Sequence, residues 1–135
     1  MKSTLAFPLA TAALTGLAVT GLALPGTADA DDPEPATRIL LTVTSGATGD
    51  TESASLGCSP AGGDHPEAEA ACDELDTADG DFDRLEVTPD AICPMIYDPV
   101  TATATGTYDT EPVAWKKTFS NACLLNVETG KVFAF

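Results

Sequence analysis

Residues 92–100 read ICPMIYDPV, and the meaning given to this stretch decides how the rest of the chain is organised. Pro94 and Pro99 bias the residues before them toward extended backbone, which argues against a helix here. Cys93 offers a covalent tether at the start of the stretch, and Pro99 stiffens its end. Between them stand Met95, Ile96 and Tyr97, three large and mostly apolar side chains. Two readings fit these residues. One is an ordinary buried strand. The other is a stiff, tethered segment that a protease cleft accepts by pairing with its backbone and filling pockets with its side chains.

Working outward, the flanking segments alternate between strand-like runs and turns. Residues 38–44 (RILLTVT) are rich in β-branched and apolar residues, and residues 53–58 (SASLGC) could pair back on them across the loop SGATGDT at 45–51. Downstream, residues 100–105 (VTATAT), 113–119 (VAWKKTF), 123–127 (CLLNV) and 132–135 (VFAF) read as further strands. Thr105-Gly106 and Thr129-Gly130 are expected to mark turns between them.

One helix is expected. Asp64 is placed to cap it, Pro66 suits its first turn, and Glu67 falls three residues after Asp64 as in a capping box. Ala68, Ala71, Cys72 and Leu75 recur at i, i+3, i+4 and i+7, which gives one apolar stripe facing a core. Glu67, Glu69, Asp73, Glu74 and Asp76 occupy the opposite face, and the helix should end near Ala78, with Gly80 turning the chain. Many short strands and one definite helix make an α+β domain whose helix covers an antiparallel sheet.

The first thirty residues read as an export signal. Lys2 is followed by an apolar run from about Leu5 to Leu24, then Pro25-Gly26 and the small-residue pattern Ala28-Asp29-Ala30. Thr, Gly and Pro interrupt the run and acidic residues follow it, which argues against a membrane anchor. Residues 31–36 (DDPEPA) then form a loose acidic arm, and residues 37–135 a single domain of ordinary size. All four cysteines, Cys58, Cys72, Cys93 and Cys123, fall in the exported part, as expected for two disulfides in a secreted domain. Spacing alone leaves three pairings open.

The chain carries 21 acidic and 6 basic side chains, a formal charge of −15. Such a surface is repelled by phosphates and anionic membranes, so a nucleic-acid or membrane partner is not expected. No Cys-x-x-Cys pair exists and His65 is the sole histidine, so a zinc site is not expected either. Asp79, Asp81, Asp83 and Asp90 imitate a calcium loop, but Arg84 stands where its sharp turn needs glycine, and no metal or cofactor is read here. An enzyme is not expected, since His65 has no nucleophile motif with which to build a triad.

CPMIYDPV closely resembles the reactive-loop signature of the Streptomyces subtilisin inhibitor family. CSPAGGDHPEA around Cys58 and His65, the segment carrying Cys72, FSNAC ending at Cys123 and the terminal VFAF match in the same order. Ile96 where valine is usual, Trp115 where tyrosine is common, and a shorter, more acidic N-terminal arm are the departures. The resemblance implies a five-stranded antiparallel sheet covered by two helices, usually a homodimer formed through the sheet. It pairs Cys58 with Cys72 and Cys93 with Cys123. It implies a secreted, substrate-like inhibitor of subtilisin-type serine proteases, acting more weakly on chymotrypsin-like ones, with Met95–Ile96 as the reactive bond. Ile92, Cys93, Pro94 and Tyr97 would contact the protease, with Asn121 and Pro99 supporting the loop. The alternative is a secreted acidic module that binds calcium or a protein partner and inhibits nothing.

Overall fold

The computed structural model describes residues 34–86 and 88–135; the expected signal at 1–30 and the first half of the acidic arm lie outside them. Alternation of apolar and polar residues sets the sheet. In β1 (Thr37–Ser45) Ile39 and Leu41 turn inward while Arg38 and Leu40 face out. β2 (Thr51–Cys58) returns antiparallel, placing Leu56 opposite Ile39 and Ala54 opposite Leu41. A two-residue strand β3 (Gly62–Gly63) pairs with the end of β2. β4 (Val100–Tyr108) runs antiparallel to β1 on its other side, and β5 (Glu111–Phe119) completes the order β3-β2-β1-β4-β5.

Val100, Ala102 and Ala104 of β4 point to the same side as Ile39 and Leu41, while Thr101, Thr103 and Thr105 alternate to the other. Helix α1 (Ala68–Thr77) and helix α2 (Ala122–Thr129) contribute to the apolar layer on that inner side. Ala71, Cys72 and Leu75 of α1 and Leu125 of α2 are buried there with Phe82, Leu85, Val132 and Phe133. The outer face is covered by no element among the described residues. It carries hydroxyl pairs such as Thr101–Thr118 at 2.9 Å and a half-exposed Leu40. Among the described residues the fold is thus the α+β class expected, with five antiparallel strands, two α-helices and two disulfides.

Four local expectations are corrected. Asp64 does not cap α1: its carboxylate accepts from the backbone N–H and, at 2.6 Å, the hydroxyl of Ser55 on β2. The helix starts four residues later, and the Glu67 N–H is taken instead by His65 Nδ1 at 3.0 Å. Residues 123–127 are not a strand but the body of α2, capped by Asn121 at one end and by Gly130, at φ 55°, at the other. Residues 132–135 form no strand either. Val132 and Phe133 reach the core through successive turns, their side chains fully buried without a ladder.

The turn expected at Thr105-Gly106 lies four residues further on. Tyr108 pairs with Glu111, and Asp109 and Thr110 make the reversal at φ 45° and 70°. Gly106 sits inside β4 for a different reason. A Cβ there would come within 2.0 Å of the Arg38 carbonyl oxygen on β1, so only glycine allows that approach.

Candidate functional site

Residues 88–99, between the short helical turn at Phe82–Arg84 and β4, cross the surface without helix or strand, in keeping with their prolines. Their large side chains do not enter the core. Met95 is fully exposed, Ile92 is 94% exposed, and Ile96 and Tyr97 also face solvent. The buried-strand reading of residues 92–100 is therefore excluded until β4 begins at Val100. Four exposed apolar side chains in six residues cost hydration free energy unless a partner covers them, so they mark a contact surface.

What holds so exposed a segment in place is a set of bonds to the body. Cys93 is joined to Cys123, the second residue of α2. The Asn121 side-chain amide donates to the Pro94 carbonyl at 3.1 Å and to the Ile96 carbonyl at 2.9 Å, one on each side of Met95. Its own carbonyl oxygen accepts from the Leu124 N–H at 2.9 Å as the cap of α2. With the oxygen committed to the cap, the NH2 group faces the loop, because the amide's acceptor and donor diverge from one carbon within a single plane. Asn121 is 7% exposed, so these bonds are shielded from competing water. Beyond Ile96, the Asp98 N–H donates to the Ser120 carbonyl at 2.9 Å, and Pro99 accepts from the Gly46 N–H at 2.8 Å. Val100 then enters β4, an interior strand of the sheet.

The second disulfide, Cys58–Cys72, ties β2 to α1 within the core. In the chain-entropy account, sequence separations of 14 and 30 residues correspond to about 3 and 4 kcal/mol of stabilisation.

The remaining candidates are taken up by structure. His65 is buried, with Nε2–H donating to the Val132 carbonyl at 3.0 Å and its ring edge against Phe135. Asp81 accepts from the Asp83 N–H, Asp83 accepts from the Trp115 indole at 2.9 Å, and Asp79 lies 4.0 Å from Arg84. Among the described residues no group of three or more His, Cys, Asp or Glu side chains converges as a metal site would. Two groups titrate away from their usual ranges. The hydroxyl and N–H of Ser55 hold the Asp64 carboxyl below 3.8, and burial, with the hydrogen bond to Asp76, pushes the Tyr108 phenol up to about 12.

Sequence reasoning missed Gly46 and Ser120, which hold the far limb of the loop, because a backbone donor or acceptor leaves no mark in residue type.

Comparison with known proteins places this geometry in context. Residues 35–121 match the family model described as subtilisin inhibitor-like. A subtilisin inhibitor-like protein of Streptomyces fradiae is 42% identical over 102 residues, covering 72% of this chain and 95% of that protein. The subtilisin inhibitor of Streptomyces albogriseolus is 37% identical over 133 residues, covering 95% of this chain and 90% of its own. Among solved structures, Streptomyces caespitosus sermetstatin in complex with Bacillus licheniformis subtilisin superposes with a TM-score of 0.63 at 39% identity. The match covers 73% of this chain and 97% of that one.

Proposed function

The chain belongs to the subtilisin inhibitor-like family, and from that membership we propose that it inhibits subtilisin-type serine endopeptidases in a substrate-like manner, with Met95–Ile96 as the reactive bond. The family is one of protease inhibitors, not enzymes. The observation that carries the assignment of the bond is the pair of hydrogen bonds from Asn121, which brackets a fully exposed Met95.

Met95 fills the primary pocket of the protease, Ile92 reaches an upstream apolar pocket, and Ile96 and Tyr97 lie past the scissile bond. Cys93 and Pro94 keep the strand between them extended. Because the loop is ordered before contact, association loses little conformational entropy, and the complex is tight for its area. If the bond is cut, both new ends stay bound to one body, through Cys123 on one side and Asn121, Ser120 and β4 on the other. Rejoining then competes with release.

The uncharged, flexible Met95 side chain suits the apolar pocket of subtilisin-like enzymes and, less well, that of chymotrypsin-like ones. It offers nothing to the aspartate at the base of a trypsin pocket. Secretion after removal of residues 1–30, a domain at 37–135 and a homodimer belong to the same proposal. The open outer face of the sheet, with Leu40 half exposed among threonines, supports the dimer.

The test is a titration of subtilisin with the purified, oxidised protein, following a chromogenic substrate. A linear fall to zero activity near one chain per enzyme is the expected result. Full activity at large molar excess, with both disulfides intact, overturns the proposal and favours the non-inhibitory binding module.

A further inference from the structure

The two limbs of the loop are held by different parts of the fold. The limb before Met95 is tied to the start of α2 through Cys93–Cys123 and Asn121. The limb after Ile96 is also tied to the β1–β2 hairpin, at one point. There the Gly46 N–H, one residue past the end of β1, donates to the Pro99 carbonyl at 2.8 Å. This bond extends the β1–β4 ladder one step beyond the Ser45–Val100 pair. The extension is one-sided, because Pro99 has no N–H with which to return a bond.

The approach is close enough to exclude any side chain. A Cβ on Gly46 would lie 2.8 Å from the Pro99 oxygen and 3.0 Å from its Cγ. The first of these contacts is with backbone, so the Pro99 limb would have to move. Nothing in the torsion of Gly46 demands glycine, since it is not among the positive-φ residues of the chain. Its requirement is contact with the loop.

We infer that Gly46 is a positioning residue of the reactive loop, setting where the Ile96 side of the bond lies relative to the Met95 side. The inference rests on the proposed inhibitory reading. Cleavage adds one water across Met95–Ile96, leaving a carboxylate on Met95 and an ammonium group on Ile96, and resynthesis expels that water. The ratio of cleaved to intact chains at equilibrium depends on how near the body holds the two ends. A shift of a few tenths of an ångström in the Pro99 limb strains the intact loop, and cleavage releases that strain, so the ratio rises.

Gly49 supplies the control. It lies in the same hairpin loop, at φ +76°, and a Cβ added there would meet nothing within 4 Å, so Gly49→Ala strains the turn without touching the reactive loop. Wild type, Gly46→Ala and Gly49→Ala are each incubated with a catalytic amount of subtilisin until the cleaved and intact forms stop changing, and both are quantified by reversed-phase chromatography. Gly46→Ala is expected to raise the ratio about tenfold, through strain in the intact loop that cleavage relieves, and to lose inhibition on prolonged incubation. Gly49→Ala is expected to lower thermal stability and leave the ratio at the wild-type value.

Equal ratios in wild type and Gly46→Ala, or equal rises in both variants, overturn the inference. A wild type that does not inhibit subtilisin refutes the proposed function instead, and the two failures are thus distinct. Should Gly46→Ala not fold, hydrogen exchange of the wild type decides. A Gly46 amide protected both before and after cleavage supports the clamp, and rapid exchange in either form overturns it.

Discussion

Replacing Asn121 by alanine removes three hydrogen bonds at once: two to the loop carbonyls of Pro94 and Ile96, and one that caps α2. At about 1 kcal/mol net for each side-chain hydrogen bond, the loop loses about 2 kcal/mol of restraint, or about 30-fold in the population of the bound-ready geometry. The lost cap costs the fold about 1 kcal/mol more, a fall of about 4–8 °C in Tm. Asn121→Asp separates the two effects. Its carboxylate still accepts from the Leu124 N–H, and an anion suits a helix N-terminus, but it offers no donor to the loop. The assay follows intact and cleaved protein by mass spectrometry during incubation with subtilisin, with Tm measured by circular dichroism. Both variants should be cleaved about 30-fold faster than wild type, and the alanine should lose more Tm than the aspartate by the worth of the cap. Cleavage of Asn121→Asp at the wild-type rate would refute the claim that the side-chain amide holds the loop.

Met95→Lys should gain trypsin inhibition by about 10- to 100-fold, the worth of one charged hydrogen bond in the pocket, read from inhibition constants against trypsin and subtilisin. A variant that leaves trypsin untouched would mean that Met95 is not the primary contact. Removing Cys93 and Cys123 together as serines should turn the protein from inhibitor to substrate while leaving Cys58–Cys72 and the sheet in place, as judged by cleavage rate and far-ultraviolet circular dichroism. For Asp64 the folded-state pKa is depressed, so its contribution to stability is present above pH 3.8 and lost as pH falls through the lower folded value; Asp64→Asn should flatten that acid limb of a Tm–pH profile. For Tyr108 the folded-state pKa is raised to about 12, so its contribution is present below pH 10 and lost as pH rises toward 12; ultraviolet absorbance of the tyrosinates should show one tyrosine ionising late, and Tyr108→Phe should abolish that late step.

Strands within 37–45, 51–58, 100–108 and 111–119 are legible in the sequence as runs at 38–44, 53–58, 100–105 and 113–119, but the end of β4 is not, because Gly106 reads as a turn while it sits inside the strand. The stripe Ala71, Cys72, Leu75 is likewise legible, at helical spacing. α2 is not. Eight residues opening with four consecutive apolar ones, Ala122, Cys123, Leu124 and Leu125, satisfy either period, and the signals that decide, Asn121 as cap and Gly130 after the end, look equally like loop and turn. Asp64 misleads because its capping pattern is local, whereas its actual partner, Ser55, is brought by strand pairing. At the loop, exclusion of helix follows from Pro94 and Pro99 alone, but the outward direction of its side chains does not. An extended run of apolar residues looks the same whether it faces the core or a partner.

That outward direction separates two properties that are entangled in most proteins. Ile92, Met95, Ile96 and Tyr97 are absent from the apolar core, which is assembled from the sheet, both helices and the C-terminal turns. Whatever occupies those four positions has little to do with whether the chain folds. On the proposed reading, a change of target protease can therefore be made at these positions, while durability rests on Asn121, the disulfides and the strands beneath. The molecule is in this sense a handle with an exchangeable key, and a library randomised at these positions alone should return members with new targets and nearly constant melting temperatures.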